Sequence, residues 1–208
     1  FKGIIKDSLN GLYRSAYYLN GEKKYIVTTQ FEAPDARRAF PCFDEPEFKA
    51  VFQIALLIDK SLEAISNMPI KEIREEGEKK RVVFEPTPKM STYLVYIGVG
   101  DFDYVEGRLR DLKIRVATVK GKKEMARIPL QYAIKFVDFY EKYFGIKYPL
   151  KKLDLIAIPD FAAGAMENWG AITFREIDLL CKEDTPLENK QGVAITIAHG
   201  LAHQWFGD

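Results

Sequence analysis

Alternation of apolar and polar positions dominates the first half of the chain. Leu12 to Leu19 and Lys24 to Phe31 are two β-prone runs flanking Asn20-Gly21, whose positions suit the positive φ of a tight hairpin turn. Lys49 to Asp59 reads as a buried strand, and Ile70 to Arg74 with Lys80 to Phe84 as a second hairpin around Glu76-Gly77-Glu78. Thr92 to Val99 is strongly β-prone. Between them, Glu32 to Phe48 carries three prolines and many charges, so an ordered loop with one helical turn is expected. Glu106 to Asp111 is charged and contains a glycine, which puts a domain boundary near Glu106, before a last strand at Leu112 to Val119.

Beyond that point the period changes. Leu130, Ala133, Val137, Tyr140 and Phe144 recur at helical spacing within 124–144, and Gly145 offers a left-handed cap. Leu153 to Ile158 and Ala171 to Phe174 read as short strands on either side of a Gly-rich loop. A final helix is predicted from a capping box, Thr185 at N-cap and Glu188 at N3 with Pro186 at N1, and should run past both histidines towards Gly207. The pattern is an α+β fold in two parts, 1–106 and 107–208.

Composition narrows the classes of function. An apolar share of 47% and a net charge of +1 fit a globular protein, with no global pull towards nucleic acid or membrane. The longest apolar run, Ala50 to Ile58, is interrupted by Gln53 and too short to span a bilayer. Cys42 and Cys181 suggest no disulfide framework and are read as free thiols in a reducing, cytoplasmic setting. Lys, Arg and Glu are plentiful while Asn and Gln are sparse, a balance found in thermophile proteins.

The two histidines of the chain, His199 and His203, stand four apart near its end. At that spacing two side chains share one helical face, so their imidazoles can converge on one ion. This is the metal-binding half of the H-E-x-x-H zinc helix. Position 200, where that motif carries its general base, is glycine. A chance i,i+4 pair on a helix is the other reading.

Three stretches together resemble the M1 family of zinc aminopeptidases, the gluzincin group that includes aminopeptidase N and leukotriene A4 hydrolase. They are Thr29 to Glu32 running into Asp35 to Pro46; Gly164-Ala165-Met166-Glu167-Asn168; and the His199 helix followed by Gln204-Trp205-Phe206-Gly207-Asp208. The likeness runs over nearly the whole chain and looks closest to archaeal members that trim peptides released by large cytosolic proteases. It implies the later part of an N-terminal β-domain followed by the first part of a thermolysin-like catalytic domain. It also implies zinc on His199 and His203, and peptides with a free N-terminus as substrates. The Gly164 to Asn168 loop matches the exopeptidase motif, in which Glu167 anchors the substrate amine and Glu32 assists. Two carboxylates facing an ammonium fix the scissile bond by measuring from the N-terminus. Backbone groups of Gly164 and Ala165 would pair with the peptide as a strand does.

The chain departs from the family at Gly200, where the family's Glu takes a proton from the attacking water and passes it to the leaving amine. The family's third zinc ligand, a Glu on the next helix, is not in this sequence. The expectation is therefore an internal fragment of a zinc aminopeptidase that is inactive as it stands, and that exposes core surface favouring self-association or a partner. The alternative is a non-catalytic pseudoenzyme that binds peptides or serves assembly. Gly200 fits either a point change in an active enzyme or a diverged paralogue.

Overall fold

The computed structural model describes residues 2–207. Phe1 and Asp208, the latter closing the third stretch quoted above, lie outside the described residues. The chain forms two compact units, one up to Asp101 and one from Phe102.

The first unit is all β. A four-stranded antiparallel sheet contains β1 (Gly11–Leu19), β2 (Glu22–Gln30) and β4 (Glu63–Ser66), and a second sheet of three strands contains β3 (Ala55–Asp59), β5 (Ile70–Glu76) and β6 (Lys79–Phe84). The first sheet is completed by β7 (Ile97–Gly100), and its order is β1-β2-β7-β4. Leu19 pairs with Glu22, and Asn20 and Gly21 take φ of 53° and 82°, the doubly positive turn their side chains favour. Tyr13, Tyr17 and Ile26 alternate inward from this hairpin and are buried.

Two expectations for this unit need correction. Only Ala55–Asp59 of the predicted 49–59 strand is regular; upstream, Ala50 bridges Met90 and Phe52 exchanges hydrogen bonds with Thr87. Thr92–Leu94 is a 3₁₀ turn, and its β-propensity is overridden because the Thr92 hydroxyl donates to the buried Asp44 carboxylate at 2.5 Å. The same carboxylate accepts from the Arg37 backbone N–H at 2.9 Å, which ties down the proline-rich loop with its single turn at Ala36–Arg38.

The second unit is built on a five-stranded sheet. Its strands are β8 (Phe102–Leu109), β9 (Leu112–Val119), β10 (Lys152–Ile158), β11 (Ala165–Met166) and β12 (Ala171–Arg175), in the order β11-β12-β10-β9-β8. The central β10 runs parallel to both β9 and β12 and is buried throughout. Helix α1 (Arg127–Phe144) ends at Gly145 in the left-handed conformation, and α2 (Glu176–Leu179) is a single turn before α3 (Leu187–Ala202). Val137 of α1 and Val193, Ile197 and Leu201 of α3 close a core over Val116, Leu155 and Phe174 of the sheet. The other face of β10 carries Lys152, Asp154 and Ile156, which are also buried.

The charged stretch 106–111 is the end of β8 and its turn into β9. Residues up to Leu109 belong to β8, and Gly107 is there because a Cβ would lie 2.8 Å from Ile134 Cδ1 of α1, so the glycine lets helix and strand approach closely. Glu106, where the boundary is expected, lies within β8, and the two compact units divide between Asp101 and Phe102. No described helix is long and apolar enough to cross a membrane.

Candidate active site

Helix α3 brings the two histidines to the surface of the second unit. The predicted capping box does not form: Thr185 Oγ1 accepts the Lys182 N–H at 2.8 Å, and the helix starts after Pro186, which is extended and cannot donate. The Tyr140 hydroxyl of α1 donates to the Ala198 carbonyl at 2.9 Å and fixes α3 one residue before His199. The helix then tightens. Gln204 and Trp205 donate to carbonyls three residues back, so the regular helix stops at Ala202 rather than continuing to Gly207.

His199 Nε2 and His203 Nε2 lie 3.1 Å apart with the rings nearly perpendicular at 81°. His203 Nδ1 is 3.1 Å from the Phe206 carbonyl, which can only accept, so this contact calls for a proton on Nδ1 and leaves Nε2 as the nitrogen that could ligate an ion. Two nitrogens at that separation are within reach of one zinc ion at ordinary zinc–nitrogen lengths of about 2.0–2.1 Å. The pair therefore fits zinc as two of its ligands; among the described residues no group of three His, Cys, Asp or Glu forms an ion site. Gly207 allows this arrangement. Its φ is 100°, and a Cβ there would lie 2.6 Å from His203 Nδ1. Gly207→Ala in the full-length protein is expected to weaken Zn²⁺ binding about 10–100-fold, the usual effect of disturbing a ligand's outer partner. An unchanged calorimetric titration would show that the Phe206 carbonyl does not hold the ring.

Facing the histidines is the 159–170 loop. Ala165 and Met166 pair with Phe174 and Thr173, Arg175 N donates to Gly164 O at 2.9 Å, and the Arg175 guanidinium holds the Phe161 and Ala162 carbonyls. This makes β11 an edge strand. Gly164, Ala165 and Glu167 line one pocket of about 320 Å³ with Ile195, Thr196, His199, Gly200 and His203. Met166 and Asn168 turn away from it and are buried; Asn168 Nδ2 donates to Ala171 O and Thr173 Oγ1 at 3.3 Å, so it closes the loop. Glu32 follows β2 in the first unit and is exposed.

Gly200 lines the pocket, and a Cβ there would make ordinary contacts of 3.4 Å with Ile172 and 3.5 Å with Phe174. No side chain reaches the pocket from that position, so it supplies no proton acceptor.

Residues that sequence reasoning did not single out support the loop from behind. Asp154 is held by a bidentate Arg115 at 2.6 and 2.8 Å and by Lys152 Nζ at 2.7 Å. Lys152 Nζ also donates to the Gly170 carbonyl at 2.7 Å. Burial alone would raise the Asp154 carboxyl, yet the two adjacent cations outweigh it and hold it below its ordinary value. Burial lowers Lys152 from its ordinary value despite the Asp154 charge. The signal was present in Lys152-Leu153-Asp154, two charges on one face of an otherwise apolar strand.

Comparison with known proteins bears on all of this. A family model described as the Peptidase M1 N-terminal domain matches residues 1–94, and one described as the Peptidase family M1 domain matches 128–208. The whole chain is 52% identical to Probable aminopeptidase 2 of Sulfurisphaera tokodaii and 53% identical to Tricorn protease-interacting factor F2 of Thermoplasma volcanium, covering 26% of each. It is 51% identical to Aminopeptidase M1 of Arabidopsis thaliana, covering 24% of that protein. The chain thus spans about a quarter of the length of the curated relatives it matches.

Proposed function

The chain belongs to the peptidase M1 family, and on that premise we propose that the whole protein is built as a zinc aminopeptidase acting on peptides with a free N-terminus. One observation carries the reading: Glu167, the Gly164–Ala165 backbone and both histidines share a single pocket. Glu167 anchors the substrate ammonium through a charge-assisted hydrogen bond. The open edge of β11 takes the first residues of the peptide as an added strand, which sets them in extended register. His199 and His203 hold the ion together with a further ligand from the whole protein. Zinc, when bound, supplies Lewis-acid polarisation of a carbonyl.

With glycine at position 200 the chain binds and orients a peptide but contributes no base there. This feature favours a second reading, a peptide-binding protein that has lost its chemistry. Both readings require recognition of the amino terminus. We place the protein in the cytoplasm, in keeping with Cys42 and Cys181 being free thiols.

The test is calorimetric binding of a short peptide and of its N-acetylated form to the full-length protein. Acetylation removes the ammonium and is expected to lower affinity at least about tenfold, the worth of one charge-assisted hydrogen bond. Equal affinities would overturn the assignment of Glu167 as amine anchor.

A further inference from the structure

We propose that Gln204 is a positioning residue whose carboxamide sets the spacing between the histidine pair and the loop that anchors the amine. The inference rests on the aminopeptidase reading for its consequence, but its geometry stands on the chain alone. Gln204 directly follows His203 on the tightened turn and is 8% exposed. Its orientation is dictated by its neighbours. Oε1 receives the Gly170 N–H at 3.1 Å and the Tyr148 hydroxyl at 3.2 Å, while Nε2 donates to the Glu167 carbonyl at 3.1 Å. The Gly170 N–H can meet only the oxygen and the Glu167 carbonyl only the nitrogen, so these two fix the amide.

The loop is thus gripped at both ends of 167–170 by one side chain of the turn that follows α3. Gly170 is held from two sides, its N–H by Gln204 and its carbonyl by Lys152 Nζ and the Asp154 N–H at 3.0 Å. The Tyr148 hydroxyl also lies 3.4 Å from the Lys152 carbonyl, so the grip continues into β10. An anchor that measures from the amino terminus works only if its distance from the ion is fixed, since a displacement of about 1 Å can cost a factor of 10². Gln204 holds the Glu167 backbone against the turn carrying His203, so it fixes that distance without touching substrate.

Two variants of the full-length protein separate this role from simple packing. Gln204→Met keeps length and apolar bulk but removes donor and acceptor. Gln204→Glu keeps the acceptor for Gly170 and Tyr148 and loses the donor to Glu167. In Gln204→Met, exchange of the Gly170 amide should accelerate about tenfold or more. The affinity ratio of a free peptide to its N-acetylated form should fall about tenfold, while Zn²⁺ affinity stays within about threefold of wild type. In Gln204→Glu, Gly170 should stay protected while the ratio still falls. An affinity ratio unchanged in both variants, or an unchanged Gly170 exchange rate in Gln204→Met, overturns the proposal. If the wild-type protein itself does not distinguish the two peptides, the aminopeptidase reading fails, and the exchange rate still decides whether Gln204 holds the loop.

Discussion

Gly200→Glu in the full-length protein is expected to raise peptide hydrolysis about 10²–10⁴-fold, the contribution of a placed general base. The pocket accepts the change at its root, because a Cβ at 200 meets Ile172 and Phe174 at ordinary contact distances. Gly200 itself lines the cavity that both histidines line. The product should be the free N-terminal residue, and a chelator should abolish its release. Gly200→Gln, with the same shape and no basic oxygen pair, is the control and should remain near the starting rate. Gly200→Ala separates stability from chemistry: removing a glycine from the interior of α3 should stabilise by up to about 1 kcal/mol without adding activity. Equal rates for the Glu and Gln variants would show that position 200 does not carry the base.

The second large effect concerns stability. Asp154→Ala should destabilise the second unit by about 3–5 kcal/mol, because Lys152 would be left as a buried cation without its anion and the partly buried Arg115 would lose its bidentate partner. Replacing all three residues by apolar side chains of similar size should cost far less, since no charge is then stranded. The pH dependence follows from the lowered Asp154 value. An unfolded Asp titrates near about 3.9. With the folded value below that, the carboxylate's stabilisation is fully present above the unfolded value and is lost as pH falls through the folded one. Denaturant midpoints at pH 5 and pH 3 should therefore drop further for the wild type than for Asp154→Asn. Parallel curves would show that Asp154 titrates alike in both states.

Much of the fold was written in short-range signals. Asn20-Gly21 fixed a hairpin because both residues tolerate positive φ, and Gly145 ended α1 for the same reason. The histidine pair was legible because helical spacing alone puts two side chains on one face. What escaped depended on partners distant in sequence. Thr92 turns to meet Asp44, Gly107 answers to Ile134, and Gln204 draws its meaning from Glu167 and Gly170. Thr185 shows the opposite failure. A sound local motif lost to a competing local bond, because its hydroxyl found Lys182 before the helix began.

The parallel run of β10 between β9 and β12 also bears on how a ligand is received. Lys152 and Asp154 on β10 brace Gly170, and β12 braces the strand that begins the pocket rim, so the rim grows from the interior of the sheet. On the proposed reading, a peptide arriving there would meet a wall already in place, and most of the ordering entropy of association would fall on the visitor. Preorganisation of this kind favours ligands whose first residues are already stiff and stretched over those that must be straightened on arrival.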